Sequence, residues 1–542
     1  MLSFINYFIG GGLKKQWTVL RHNGPIFPPE YIKHNIPVII NNEKIILPIL
    51  AEEYATMFVK YINTKYMEMS NFKKNFWKDF KPTLDNIKVN SLDEIDFSLI
   101  KNYLEIEKEK KKNKTKEEKE LIKLKEKKED EPYIYCIIDG NQQKVGNYKI
   151  EPPGIFLGKG SHPKIGRIKK RIYPEDIILN LDKDAPIPKT LVNHNWKSII
   201  HDQSVIWLAT WKDNIKGKNK YIFTSFESFF KSKSDEDKFD LARKLKRKIN
   251  TIRESYEKEL LDSNIKKKQL ATALYFIDNL ALRVGGKKDS KEEADTVGVT
   301  SLRVEHISLL ENNTIKLDFL GKDSVRYCRK INVHSNVYNN LILFIKDKSK
   351  KEELFDLITS SNLNEYLHSY MEGLTAKVWR TYNASFIFQK ELDKLTSSKK
   401  LDMFTEKEER INFLITIFNQ ANTEVALLCN HQKTVTTNLD KTIDKIDKRI
   451  KDLKKKKKKY QEKNNKEKIN SIKKKIELIK VKRDSKVKMK NVSLGTSKQN
   501  YIDPRIIYAF IKKYEIPEDR LFTEQLLKRF EWASLVDANF RF

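Results

Sequence analysis

Two isoleucine stripes, one on each side of an Asn-Asn pair, restrict the fold of this chain more than any other feature. Ile443, Ile446, Ile450 and Leu453 recur at spacings of three and four, and Ile469, Ile472, Ile476 and Ile479 do the same beyond Asn464-Asn465. That spacing lines one face of a helix. Two such faces around a short polar break predict an antiparallel coiled-coil hairpin over 434–490. The hairpin would be strongly basic. Roughly +15 of the formal net charge of +32 lies in it, including the run Lys454–Lys459. A rod of this kind can follow a phosphate backbone electrostatically or serve as a solvated spacer, and the sequence leaves both open.

The 542 residues allow three or four domains. A hydrophobic share of 39%, with 28 Phe and 22 Tyr, supplies real cores and excludes a wholly disordered chain. The excess of 106 Lys and Arg over 74 Asp and Glu points to a polyanion: DNA, RNA or an anionic membrane surface. Cys136, Cys328 and Cys429 are odd in number and far apart, with no CxxC pair. Neither a zinc site nor a disulfide framework is indicated, and a reducing intracellular compartment fits. The nine histidines show no HExxH spacing. No apolar run approaches the ~20 residues of a membrane span. The stretch Met1–Ile9 is apolar but short, with no basic segment before it. It reads as packing or a ragged terminus rather than a signal peptide.

Residues 15–100 mix short strands and helices, with loops at Pro25, Pro28, Pro29 and Pro37. Val38-Ile39-Ile40, Asn41-Asn42 and Ile45-Ile46-Leu47 predict a hairpin. Residues 101–130, rich in Lys and Glu, predict a long solvated helix or helix pair. Tyr133–Ile138 is strand-like, Asp139-Gly140 a turn, and Glu151-Pro152-Pro153-Gly154 a rigid loop. Leu245, Ile249, Ile252, Tyr256 and Leu260 form a helical stripe. Leu270–Arg283 predicts a buried helix ended by Gly285-Gly286. Residues 299–335 predict a β interlude, with strands Ile315–Leu320 and Val325–Tyr327 around a Gly321-Lys322-Asp323-Ser324 turn. Residues 491–542 predict a small helical domain, entered by a loop over Leu494–Asn500 that leads to Tyr501.

The motifs carry further than the composition. The stretch LGTSKQNYIDPR at Leu494–Arg505 closely resembles the active-site tyrosine segment of eukaryotic type IB DNA topoisomerases. Four more segments match the same family in order: LALR at Leu280–Arg283, FLGKDS at Phe319–Ser324, GLTAKVWRTYN at Gly373–Asn383, and LCNHQ at Leu428–Gln432. Any one of these residues alone would ordinarily have a plain role. A tyrosine in a polar loop packs, a turn lysine is solvated, an arginine pairs on the surface, and a histidine after an apolar stripe sits satisfied in a core. Five matches in order, with weaker similarity from about Trp17 to the end, point to the family instead.

The resemblance implies roles for these residues. The Tyr501 oxygen would join a 3′ phosphate and release a 5′ hydroxyl. A phenolate is a good leaving group, so the phosphotyrosine stores the broken bond and religation needs no ATP. Arg283 and Arg380 look like the two phosphate-clamping arginines, each able to fork onto non-bridging oxygens as charge builds on them. Lys322 resembles the general acid, although an ammonium near pKa ~10.4 is a poor acid at neutral pH unless its site lowers it. His431 would hydrogen-bond a non-bridging oxygen. Lys377, three residues before Arg380, would share its helix face and contact DNA. Further DNA contacts implied are Lys288, Thr296, Asp323 and Asn500, the last two at positions that line the family's camptothecin pocket.

The segment EPPGIFLGKGSHPKIGRIKKRI at Glu151–Ile172 resembles the family's DNA-facing loop, with Lys159 and Lys164 as contacts. Lys220 and Tyr221, after Gly217, resemble another DNA-contacting stretch with less specificity. The family commonly has arginines where this chain has Leu157 and Lys159. Lysine keeps the charge but not the fork, and leucine keeps neither. The absence from this sequence of the long basic N-terminal tail usual in nuclear members is a second departure.

The fold implied is α+β and mostly helical: a bilobed DNA clamp with an antiparallel coiled-coil linker and a small helical C-terminal domain. Residues 1–228 would form an N-terminal mixed α/β lobe with its charged helix pair near 101–130. Residues 229–433 would form the catalytic core, 434–490 the basic linker, and 491–542 the domain carrying the nucleophile. The family uses no metal or nucleotide cofactor. Its partner is duplex DNA, preferentially supercoiled, and the expectation is a monomer in the nucleus with no membrane association. A tyrosine recombinase shares the Arg–Lys–Arg–His–Tyr logic, but the charged hairpin before the tyrosine argues against it. A DNA-binding scaffold without turnover is opposed by the presence of all five residues.

Overall fold

The computed structural model describes residues 15–289, 292–397, 401–404, 406–432, 439–463 and 465–542. The expectations for Met1–Ile9, for residues 434–438 and for Asn464 lie outside them. The chain is mostly helical with several small β-sheets. It divides into two compact units, Met1–Phe230 with Lys288–Asp295, and Lys231–Lys287 with Thr296–Phe542.

The first unit has two apolar cores. Phe72, Phe76 and Phe80 fall four apart on the helix Ser70–Phe80 and so bury one face, where Phe58 stacks on Phe76 at 4.3 Å between centroids. Beside them Val38–Ile40 pairs with Glu43–Ile45 across Asn41-Asn42, both at positive φ. The second strand therefore stops short of the expected Ile46-Leu47. A two-residue turn with both residues left-handed sets Val38 opposite Ile45 and leaves no partner beyond. The other core gathers Trp17, Leu20, Cys136 and Ile138 with a four-stranded sheet whose strands are Ser198–Ile200, Ile178–Asn180, Ala209–Lys212 and Asn219–Ile222 in spatial order. The charged stretch forms two helices, Ser98–Asn113 and Lys116–Ile134, the second capped reciprocally by Thr115 and Glu118 and burying no residue. Its helix runs on through Ile134, so the expected strand begins at Tyr135 rather than Tyr133.

In the second unit the stripe Leu245, Ile249, Ile252 and Tyr256 is buried on the helix Phe229–Glu259. The next helix, Ile265–Leu280, ends earlier than its apolar pattern suggests. Ala281 takes the left-handed cap at φ 49°, so Gly285-Gly286 is not the terminator and Arg283 lies past the helix. Gly285 serves another purpose. A Cβ there would stand 2.6 Å from the Gly298 backbone, so two glycines let these segments cross. The β interlude is a three-stranded antiparallel meander, Ile307–Leu310, Thr314–Leu320 and Arg326–Asn332, with Lys322 at the tip of its second turn.

The two basic helices, Leu439–Glu462 and Lys466–Lys488, run antiparallel and bury Ile450, Ile472 and Ile476. Asp447 accepts from Arg483 at 2.6 Å and Asp440 from Lys490 at 3.1 Å. Each partner of one pair lies seven residues from its counterpart in the other, as antiparallel heptads require. The expected loop at Leu494–Asn500 is a seven-residue helix. Gly495, Thr496, Ser497 and Asn500 are weak helix formers, and tertiary contacts override them. Ser493 N–H donates to His431 O at 2.8 Å, and Asn422 Nδ2 to Leu494 O at 3.2 Å.

Candidate active site

Four of the five expected catalytic residues converge, each placed by a different local device. Arg283 lies on an extended segment whose carbonyl accepts from Val299 N–H at 2.9 Å, while the next carbonyl, of Val284, accepts from Thr300 N–H at 2.8 Å. Arg380 sits in the second turn of the helix Ala376–Thr396, capped by the Thr375 hydroxyl. The neighbouring Trp379 indole donates to Asp278 at 3.0 Å, and Asn383 donates to the Asp278 carbonyl at 2.7 Å. His431 follows the helix Lys407–Leu428, where Asn430 at φ 54° turns the chain and His431 N–H returns to Ala426 O at 2.8 Å. Tyr501 ends the short helix, its N–H donating to Ser497 O at 2.9 Å.

The Arg380 guanidinium carbon stands 5.2 Å from the centre of the Tyr501 ring, and the His431 ring is 5.4 Å from it on a tilted approach. The charges of Arg283 and Arg380 both act on the phenol. Lys322 lines a small cavity together with Arg283, Arg380, Tyr327 and Cys429, and is itself exposed at the hairpin tip. The hairpin is held by a forked Arg326–Asp318 pair at 2.8 and 2.7 Å. Asn430 and Gln432 both donate to the Arg326 carbonyl, which ties the hairpin to the His431 turn.

The electrostatics favour an anion. Burial pushes the Tyr501 phenol up, but the charges of Arg380 and Arg283 outweigh it and hold the group below its ordinary value. Burial, then the same two charges, lower His431 to about 3, so its imidazole is neutral at physiological pH. Arg380 is 3% exposed, and among the described residues its Nε and Nη2 find no hydrogen-bond partner; nor does His431 Nε2. A buried guanidinium without a carboxylate is costly. Its unspent donors, together with the imidazole nitrogen, form a cradle for an anion beside the phenol.

Three family models match along the chain. They are the DNA binding fragment of eukaryotic DNA topoisomerase I over residues 15–224, its catalytic core over 227–464, and a C-terminal topoisomerase domain over 473–542. DNA topoisomerase 1 of Caenorhabditis elegans is 41% identical across 96% of this chain. DNA topoisomerase 1 of Homo sapiens is 38% identical across 97%, and DNA topoisomerase 1 beta of Arabidopsis thaliana 39% across 98%. This chain belongs to the eukaryotic DNA topoisomerase I family. It spans 66%, 72% and 60%, respectively, of the lengths of those three relatives.

Within this topoisomerase I family member, the remaining expected contacts fall in both units. Asp323, at φ 66°, and Lys322 share the hairpin tip. Asn500 immediately precedes the nucleophile candidate, its side chain turned back to Thr496 O at 3.1 Å. Lys377 is exposed whereas Arg380, three residues on, is buried, so the two point to different surroundings from one helix. Thr296 is buried just before Val297, whose N–H joins Leu320 O at 2.8 Å. Lys159, Lys164, Lys220, Tyr221 and Lys288 belong to the first unit. Lys159 and Lys288 are exposed. Lys164 donates to Ile215 O at 2.7 Å and pairs with Glu292, while Lys220 pairs with Glu151 at 3.0 Å. Leu157 packs on the phenylalanine core, which accounts for an apolar residue at that place.

Sequence reasoning missed the residues that orient the site. Ser497 hydrogen-bonds His431 Nδ1 at 2.8 Å. Asp278 accepts from Arg253, Tyr256 and Trp379 at 2.8–3.0 Å. An aspartate at a buried position of an apolar helix was the visible signal for Asp278. Ser497 had none, since its helix reads as a loop.

Proposed function

We propose that this chain relaxes supercoiled duplex DNA without ATP, by cutting one strand, letting the cut end rotate, and resealing it. The Tyr501 oxygen attacks a backbone phosphorus, forming a 3′-phosphotyrosine as the bond to the 5′ oxygen breaks. Arg283 and Arg380 take the non-bridging oxygens, where charge builds in the transition state. Ser497 donates to His431 Nδ1, which leaves the proton on Nε2 as a third donor. Lys322 supplies the proton that the leaving 5′ oxygen needs. Religation reverses each step, with the 5′ hydroxyl attacking and the phenolate leaving. What supports the reading above all is the buried Arg380 Nε and Nη2 and His431 Nε2, without partners among the described residues, beside a phenol shifted toward ionisation.

In the same reading residues 1–228 and 229–433 are the lobes of a clamp around duplex DNA. Residues 434–490 are a coiled-coil linker, and 491–542 the domain that delivers Tyr501. Lys159, Lys164, Lys220, Tyr221, Lys288, Thr296, Asp323, Lys377 and Asn500 contact the duplex. Supercoiled DNA is preferred, the enzyme acts as a monomer, and its place is the nucleus, where replication and transcription generate supercoils.

The test is negatively supercoiled plasmid with EDTA and no ATP, beside Tyr501→Phe. Relaxation by the unmutated protein alone is expected. Relaxation by both would move the nucleophile elsewhere, and relaxation by neither, with DNA binding intact, would overturn the reading.

A further inference from the structure

The helix that presents Tyr501 is seven residues long and poor in helix formers, so it cannot hold the tyrosine in place by itself. Its last carbonyls have no intrahelical donors and need partners from elsewhere. They find three, from three different elements. Gln499 O accepts from Arg529 Nη2 at 3.0 Å, Asn500 O from Lys238 Nζ at 3.1 Å, and Tyr501 O from the Ser385 hydroxyl at 3.0 Å. Three consecutive carbonyls, ending on that of the tyrosine itself, are thus fixed by side chains.

The two cationic partners are themselves fixed. Asp235, 1% exposed, accepts from Lys238 at 3.0 Å, from Arg529 Nε at 2.7 Å and from Lys231 at 2.5 Å. Lys238 is 3% and Arg529 4% exposed. Burying two cations and a carboxylate is a poor way to gain stability, because the desolvation cost rivals the attraction, whereas such clusters do specify geometry. This one has its geometry aimed at the backbone of the residue pair before the nucleophile. Ser385 adds a second tie by accepting from Asp503 N–H at 3.0 Å, so the chain is gripped on both sides of Tyr501.

We propose that Lys238, Arg529 and Ser385, with Asp235 anchoring the two cations, are positioning residues for the nucleophile. They touch neither phosphate nor phenol in this role. They set the backbone from which Tyr501 reaches the cradle of Arg283, Arg380 and His431. The inference rests on the strand-cleavage reading above. A displacement of about 1 Å at a reacting group can cost about 100-fold in rate, so loosening one of three ties is expected to slow chemistry without weakening DNA binding.

Because cleavage and religation start from the same backbone, losing the grip should slow both by one factor. The experiment is rapid mixing of supercoiled plasmid with excess enzyme, quenched in SDS at successive times, for the unmutated protein, Lys238→Met, Arg529→Lys and Ser385→Ala. The rate of approach to the covalent complex is expected to fall about 10- to 100-fold in Lys238→Met and less in the other two. The final fraction of covalent complex and the DNA Kd should stay unchanged. Ser385→Ala removes no charge, so it reports even if Lys238→Met does not fold. A merely structural role would lower the fraction of protein that binds DNA while the molecules that still bind cleave at the unmutated rate. That result, or a changed final fraction with an unchanged rate, would overturn the proposal. If the unmutated protein forms no covalent complex dependent on Tyr501, the cleavage reading fails first, and that outcome is distinct from failure of the grip.

Discussion

Arg380 is where function and stability oppose each other. Its guanidinium is buried, faces a second cation in Arg283, and leaves two nitrogens without a partner among the described residues. Replacing such a charge by an apolar side chain of similar length is often neutral or stabilising by about 1–4 kcal/mol. Arg380→Met should therefore abolish covalent complex formation while its urea midpoint holds or rises. A clear loss of stability would mean that the charge is satisfied within the protein. The same field sets the pH profile. Tyr501 is held below its ordinary value against the opposing effect of burial. The pre-equilibrium cleavage rate should thus climb with pH on a limb centred below the usual phenol pKa of ~10. His431 at about 3 should add no inflection near neutrality. Rapid-quench cleavage from about pH 6 to about pH 10 measures both, and a limb at or above ~10 would sink the account of the phenol.

Among the elements, the crossing of Gly285 and Gly298 is the most sensitive joint. A Cβ on Gly298 would lie 2.7 Å from the Arg283 carbonyl, which is backbone and cannot swing away. Gly298→Ala should cost about 1–3 kcal/mol through overpacking. Cleavage should fall at least about tenfold, because the shifted segment carries Arg283. Thermal unfolding and SDS trapping check the two effects, and an unchanged cleavage rate would show that Arg283 is placed from elsewhere. The hairpin bearing Lys322 shows the opposite arrangement. Its tip is open to solvent, and the strand is tied just past the tip, at Arg326 O, to Asn430 and Gln432 beside His431.

For the whole molecule the question is what the basic helix pair does. Roughly +15 of the +32 is carried on about a tenth of the chain, on helices that bury Ile450, Ile472 and Ile476. Replacing Lys454–Lys459 by glutamine should leave cleavage at low salt intact. It should also make the slope of log affinity against log salt shallower, by about 0.9 for each phosphate that the protein no longer neutralises. Filter binding across a salt series measures this, and an unchanged slope would make the pair a spacer.

The sequence by itself determined the periodic parts of this protein and singled out the candidates for its reactive groups. The stripes at Leu245–Tyr256, Ile443–Leu453 and Ile469–Ile479 became helices because helical burial is written in local spacing. The five motif segments named Arg283, Lys322, Arg380, His431 and Tyr501. Tertiary structure decided what local preference could not. The segment Leu494–Asn500 has the composition of a loop and is helical because His431, Asn422 and Ser497 hold it. Ala281 rather than a glycine caps the helix before Arg283, and Gly285 and Gly298 sit where backbones cross. Asp278, Ser497, Lys238 and Arg529 make their contacts across separations of about 20 to 260 residues, and no spacing rule spans such distances.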